Sequence, residues 1–138
     1  MRIFSNQNPG SMSIARKFRF EDLEIWKLSV EVGDQLFDIA DTLETLKLFR
    51  FAEQLRGAGL SISNNIAEGS GSTSNKEFIQ FLNYARRSVY ECANIVIILH
   101  RRRHISEELK TIIFNKPDEV SRKIVNFSKA LCPRPSTI

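Results

Sequence analysis

His100-Arg101-Arg102-Arg103-His104 is the run in this chain whose residue types point most directly to chemistry. Guanidinium groups grip phosphate oxygens through paired N–H donors, and several together give binding that weakens steeply with salt. Arg86 and Arg87, earlier on the same predicted helix, extend the candidate nucleic-acid-binding set to five residues. Against this, three arginines at the end of a helix also complement the negative pole of its dipole with no partner at all. His100 and His104 are four apart and could share a metal ion, but they lack a Glu-x-x-His partner. No metal or cofactor is therefore expected.

The remaining reactive residue types argue against catalysis. Cys92 falls on a packing stripe and reads as inert core, not as a nucleophile. Gly69-x-Gly71 lacks the lysine of a phosphate-binding loop and reads as a turn. Cys92 and Cys132 show no CxxC spacing, which suits a cytoplasmic protein with free thiols. Asn65 and Glu68 are three apart, so they share a helix face beside the apolar residues Ile62 and Ile66. Half-buried polar groups must be hydrogen-bonded, and with Glu91 these two are expected to form a structural network that fixes helix register. The alternative is that they line a ligand site.

Four elements must position these residues. A chain of 138 residues suffices for one domain, and its 42% hydrophobic and 26% charged content is that of a globular protein. No apolar run approaches the roughly 20 residues of a membrane span, and residues 1–13 lack the apolar core of a secretory signal. The stripe Leu23, Trp26, Val30, Gly33, Phe37, Ala40 alternates spacings of three and four, the rhythm of helices packed nearly antiparallel. Three further stripes repeat it: Leu48, Ala52, Leu55, Gly59, Ile62, Ile66, Gly69; then Phe78, Leu82, Ala85, Val89, Cys92, Val96, Leu99; then Leu109, Ile113, Pro117, Val120, Ile124, Phe127, Leu131. No segment alternates with period two, so no strand is expected.

The spacing predicts helices over about 20–42, 48–69, 74–102 and 106–131. Ser74 with Glu77 forms a capping-box pattern, and Ser106 with Glu107 and Glu108 places a cap and two charges at the start of the last helix. Short joints force consecutive helices to run antiparallel, giving an all-α, up-down-up-down four-helix bundle over residues 18–132. Pro117 should kink or break the last helix, at about 3 kcal/mol if that helix stays straight. Gly57 and Gly59 read as points of close helix contact in preference to a hinge. Residues 1–17 are expected to be a disordered leader and 133–138 a flexible tail.

Phe20-Glu21-Asp22-Leu23 with Trp26, Gln54-Leu55-Arg56, Ser61-Ile62, Asn65-Ile66-Ala67-Glu68-Gly69 and Ser74-x-x-Glu77-Phe78-x-x-Phe81-Leu82-x-x-Ala85 resemble the 23S rRNA intervening-sequence family over about residues 18 to 131. That resemblance implies a four-helix bundle that assembles into a ring-shaped homopentamer. It also implies structural similarity to the accessory protein of diversity-generating retroelements, which binds nucleic acid and a reverse transcriptase. The sequence departs from the family pattern at Ser63, where proline is usual, and at Gly57, where a second arginine is common. It departs again at Glu91-Cys92-Ala93-Asn94, which keeps only the first carboxylate, and at Pro117.

Charge is unevenly spread. Residues 20–44 hold eight acids against one base, whereas 74–104 hold six bases against two acids. Such separation suits packing between subunits and a basic face turned to an acidic partner. In a ring, five copies of the arginine run would gather about fifteen positive charges on one surface. Few aromatic residues are expected to be exposed for base stacking, since most of the ten phenylalanines fall on or beside the stripes. The expected partners are further copies of the chain and RNA or DNA, with another protein as the alternative and no membrane.

Overall fold

The computed structural model describes residues 17–133. The disordered leader and flexible tail expected from the sequence lie outside these residues, apart from Lys17 and Pro133. A 3-10 turn, Arg19–Asp22, leads into α1 (Glu24–Thr45), α2 (Phe49–Ser70), α3 (Asn75–Arg101) and α4 (Glu107–Leu131). Each helix touches its two neighbours in a cycle, α1 to α2 to α3 to α4 and back to α1, with no diagonal packing. Among the described residues the fold is all-α, a square four-helix bundle whose short turns make consecutive helices antiparallel.

Aliphatic residues fill the axis. Leu36, Leu43, Leu55, Ile62, Ile66, Leu82, Leu99, Val120 and Ile124 are fully buried, and Phe78 closes one end of the core against Phe127 at 5.5 Å between ring centroids. The α3 stripe is buried throughout, and the α2 stripe is buried from Ala52 onward. On α1 the buried stripe differs from the expected one. Gly33 and Ala40 of the expected stripe are buried, but the continuous line of buried residues is Ile25, Ser29, Val32, Leu36, Ile39, Leu43, which has the same alternating spacing. Trp26, Val30 and Phe37 are left half-buried at its edge. Trp26 packs against Phe20 of the leading turn, with ring centroids 5.1 Å apart and planes tilted by 53°.

Local signals set the boundaries. Ser74 Oγ accepts the N–H of Glu77, and Ser106 Oγ accepts that of Leu109, so both predicted caps form. α1 and α3 end in the same way. The N–H of Leu48 reaches the carbonyl of Leu43 and that of Lys47 reaches Glu44; at the other turn His104 reaches Leu99 and Arg103 reaches His100. Each is a Schellman cap whose left-handed residue is a cation, Lys47 at φ 61° and Arg103 at φ 63°. Glycine is the usual occupant there, and a side chain in that conformation costs about 1–2 kcal/mol.

Pro117 does not break α4, which runs unbroken through it. Its ring is buried beside Cys92, Ala93, Val96, Ile113 and Phe114, so burial offsets the lost backbone hydrogen bond.

The interior glycines divide by environment. A Cβ on Gly69 would sit 2.6 Å from Phe81 Cβ and 2.9 Å from Phe78 Cδ1, and Gly59 faces Gly33 and Leu36 across the α1–α2 contact. Gly57 faces open space. Close contact therefore explains Gly59 but not Gly57. Gly69→Ala should cost about 1–3 kcal/mol by overpacking, while Gly57→Ala should stabilise the helix by about 0.5–1 kcal/mol. Urea denaturation of both variants tests the pair, and destabilisation by Gly57→Ala would show that its backbone has another duty.

Candidate nucleic-acid interface

Because α1 and α3 run in one direction, their C-termini share one end of the bundle. The turns at 46–48 and 102–106 therefore lie side by side, and Phe51 beside the first packs 6.2 Å from His104 in the second. Arg101, Arg102 and Arg103 are all exposed there. So are Lys47 and Arg50, and none of the five makes an ion pair among the described residues.

Several carboxylates near this end are already engaged. Arg56 bonds both Asp41 and Glu44 at 2.7 Å, and His100 Nε2 lies 2.7 Å from Glu107. The hydrogen bonds that Arg56 donates to Asp41 and then Glu44 hold its guanidinium above its usual pKa. Glu53 and Glu108 remain as exposed acids. The end is thus net basic, a surface suited to polyanions.

Lys47 and Arg50 did not stand out in the sequence because they are isolated cations, not a run. The up-down-up-down topology was the available signal, since it puts both turns at one end. Exposure of aromatics also exceeds the expectation. Phe49, at the start of α2, is 56% exposed, and Tyr90 on α3 is 60% exposed.

The other two candidate arginines stand apart. They precede Arg101 by about four turns, roughly 20 Å along α3. Arg86 lies over the ring of Tyr90 at 5.3 Å and lines a groove between α3 and α4 with Lys76 and Lys129. Arg87 lines a different cleft, between α2 and α3, with Ser61, Asn65, Tyr84, Ser88 and Glu91. The structure therefore gathers Arg101–Arg103 with Lys47 and Arg50, and it does not bring Arg86 or Arg87 to them.

The polar network is also composed differently from expectation. Asn65 Nδ2 donates to the carbonyl and hydroxyl of Ser61, at 2.8 and 3.1 Å, and Ser88 Oγ donates to Ser61 Oγ at 2.9 Å. This chain joins α2 to α3 through half-buried hydroxyls. Glu68 and Glu91 are exposed, and neither carboxylate has a hydrogen-bond partner among the described residues. An exposed carboxylate keeps its hydration without a protein partner, whereas serine and asparagine satisfy one another in the half-buried contact.

The acidic face of α1 is partly consumed within the chain. Glu24 pairs with Lys123 and Glu31 with Lys116, tying α1 to α4, while Asp34 and Asp38 stay exposed. Bonds to Glu24 and then Glu119 raise the pKa of Lys123.

Among the described residues no cluster of potential ligands could hold a metal ion, and no helix is long and apolar enough to cross a membrane. Burial pushes the Cys92 thiol from 9.0 up to about 12, with neighbouring Glu91 adding to the shift. A thiol kept protonated is a poor nucleophile.

A square antiparallel bundle with a basic end defines the class, a small four-helix-bundle protein. The match to the 23S rRNA-intervening sequence protein family extends over residues 21–126, and the chain belongs to that family. It is similar to the crystal structure of a protein of unknown function from the S23 ribosomal protein family of Bacteroides thetaiotaomicron VPI-5482. That likeness has a TM-score of 0.73 and 25% identity, covering 76% of this chain and 98% of that one. No curated protein matches the chain.

The two thiols should separate cleanly. In the native protein at pH 8, exposed Cys132 should react with a thiol reagent while buried Cys92 stays silent until the chain is unfolded. Stability should also fall as pH rises from about 9 toward 12, because the unfolded thiol ionises there and the folded one does not. Cys92→Ala should flatten that slope in urea titrations, and an unchanged slope would place the alkaline loss elsewhere.

Proposed function

We propose that this protein is a non-enzymatic, homo-oligomeric binding module that engages RNA through the arginine end of its bundle. The observation that carries the reading is the convergence of Arg101, Arg102 and Arg103 with Lys47 and Arg50 on one exposed surface, without ion-pair partners among the described residues. Phosphate recognition needs this arrangement, because each neutralised phosphate releases condensed counterions and the gain accumulates with the number of cations in reach. Family membership supports both parts of the reading, since relatives are linked to ribosomal RNA genes and the resemblance implies a ring of five chains. A ring would repeat the basic end around one rim and multiply weak contacts. The cytoplasm is the proposed compartment, in keeping with two free thiols.

A second reading is favoured by the outer seam of α3 and α4. Tyr90 and Ile97 are exposed there beside half-buried Phe114, and such apolar surface suits contact with protein, either another copy or a different chain.

RNA binding should be salt-dependent, and Arg101→Ala with Arg102→Ala and Arg103→Ala should lower the slope of log K against log salt by about 2 on a single strand. Fluorescence anisotropy with labelled RNA reads this directly, and unchanged binding by the triple variant would sink the RNA reading. Light scattering should give the mass of five chains, and Tyr90→Asp with Ile97→Asp should reduce it if the α3–α4 seam joins the subunits. A single-chain mass for the unaltered protein would refute the assembly.

A further inference from the structure

Paired and unpaired RNA offer a protein different surfaces. A duplex presents phosphates and sugar edges, whereas a single strand also presents the flat faces of its bases, which stack on aromatic rings. A surface built for duplex needs only cations, and one built for single strand needs an open ring among them.

The arginine end has such a ring. Phe49 is 56% exposed and joins no aromatic pair among the described residues. It stands in the chain between the exposed cations Lys47 and Arg50, with Leu46 also 56% exposed one residue before Lys47. An isolated exposed phenylalanine is ordinary on a protein surface. One set among cations, at the end of the bundle that also carries Arg101, Arg102 and Arg103, has the make-up that a base stack with flanking phosphate contacts requires. Neighbouring helix axes in a bundle lie about 8–10 Å apart, a span that a few unpaired nucleotides can bridge.

The backbone points to the same surface. Lys47 and Arg103 are the two non-glycine residues with positive φ among the described residues, and both occupy the left-handed position of a Schellman cap. Glycine would relieve both positions, yet each holds an exposed cation at this one end. The side chains are retained where the backbone would favour none.

We infer that this end of the bundle takes an unpaired stretch of RNA, with a base stacked on Phe49 and phosphates held by Lys47, Arg50 and Arg103, in preference to a duplex. The inference rests on the arginine end being the RNA site, and it goes further by naming which RNA and which residues.

The test compares a labelled oligouridylate of about 10 nucleotides with an RNA duplex of the same length, by anisotropy over a range of salt. The oligouridylate should bind more tightly. Phe49→Ala should weaken it about 10-fold, the scale of one lost base stack, without changing the salt slope or the duplex affinity. Lys47→Gly and Arg103→Gly should each raise the melting temperature while lowering the salt slope by about 0.7. A cap residue with no ligand would show the thermal gain with unchanged binding, which would remove that residue from the site. Duplex binding as tight as the single strand, or no effect of Phe49→Ala, would overturn the single-strand inference. If the arginine variants still lost affinity in that case, RNA binding at this end would stand. Failure of the unaltered protein to bind either RNA would remove both.

Discussion

Close approach of α2 to the helices on either side of it is the constraint on which the rest of this bundle depends. On one side Gly59 meets Gly33 and Leu36 of α1, and on the other Gly69 lies under Phe78 and Phe81 of α3. Between these points the hydroxyls of Ser61 and Ser88 hydrogen-bond across the α2–α3 contact. Helix faces that lack bulk can slide unless something directional fixes them. Glycine permits the approach, and the serine pair sets the register at a cost in desolvation that mutual hydrogen bonding offsets. Once α2 is fixed against both neighbours, the turns at 46–48 and 102–106 are carried to the same end. α4 then closes the square through looser packing, with ion pairs from Lys116 and Lys123 to α1.

The same packing redistributes charge. In sequence, α1 is an acidic stretch and α3 a basic one, which suggests attraction between separate chains. In the folded chain Arg56 engages Asp41 and Glu44, while Lys116 and Lys123 engage Glu31 and Glu24. These pairs are solvent-exposed, and exposed pairs of this kind contribute at most about 1 kcal/mol each. Their larger effect is on the field. They consume carboxylates along the flank of the bundle, and among the described residues the cations of the two turns have no ion-pair partner. The basic end thus results as much from where acids are neutralised as from where arginines are placed.

At that end, stability and recognition pull in different directions. A left-handed residue closing a helix is cheapest as glycine, and the bundle uses a lysine in one turn and an arginine in the other. Leaving Phe49 exposed forgoes burial that the core could have used. Each departure is small, and the core of fully buried aliphatic residues can bear it. Such departures from local preference are expected where a surface has a duty besides folding.

The helical stripes of α2 and α3, the caps at Ser74 and Ser106, and the up-down-up-down order could be read from residue spacing, because all three are local or follow from short connections. The α1 stripe could be read only at Gly33 and Ala40. Leu23-Trp26-Val30 and Ile25-Ser29-Val32 have equally good spacing, and only packing against α2 and α4 selects the set without rings. Polar partners were hidden for a related reason. Ser61 and Ser88 are 27 residues apart and unremarkable singly, whereas Glu68 and Glu91 looked like network members but stay exposed to water. For the candidate site, the sequence alone determined that three adjacent arginines would end the third helix. Only the tertiary structure decided that Lys47, Phe49 and Arg50 would stand beside them and that Arg86 and Arg87 would not, because proximity between distant segments is set by helix direction and register.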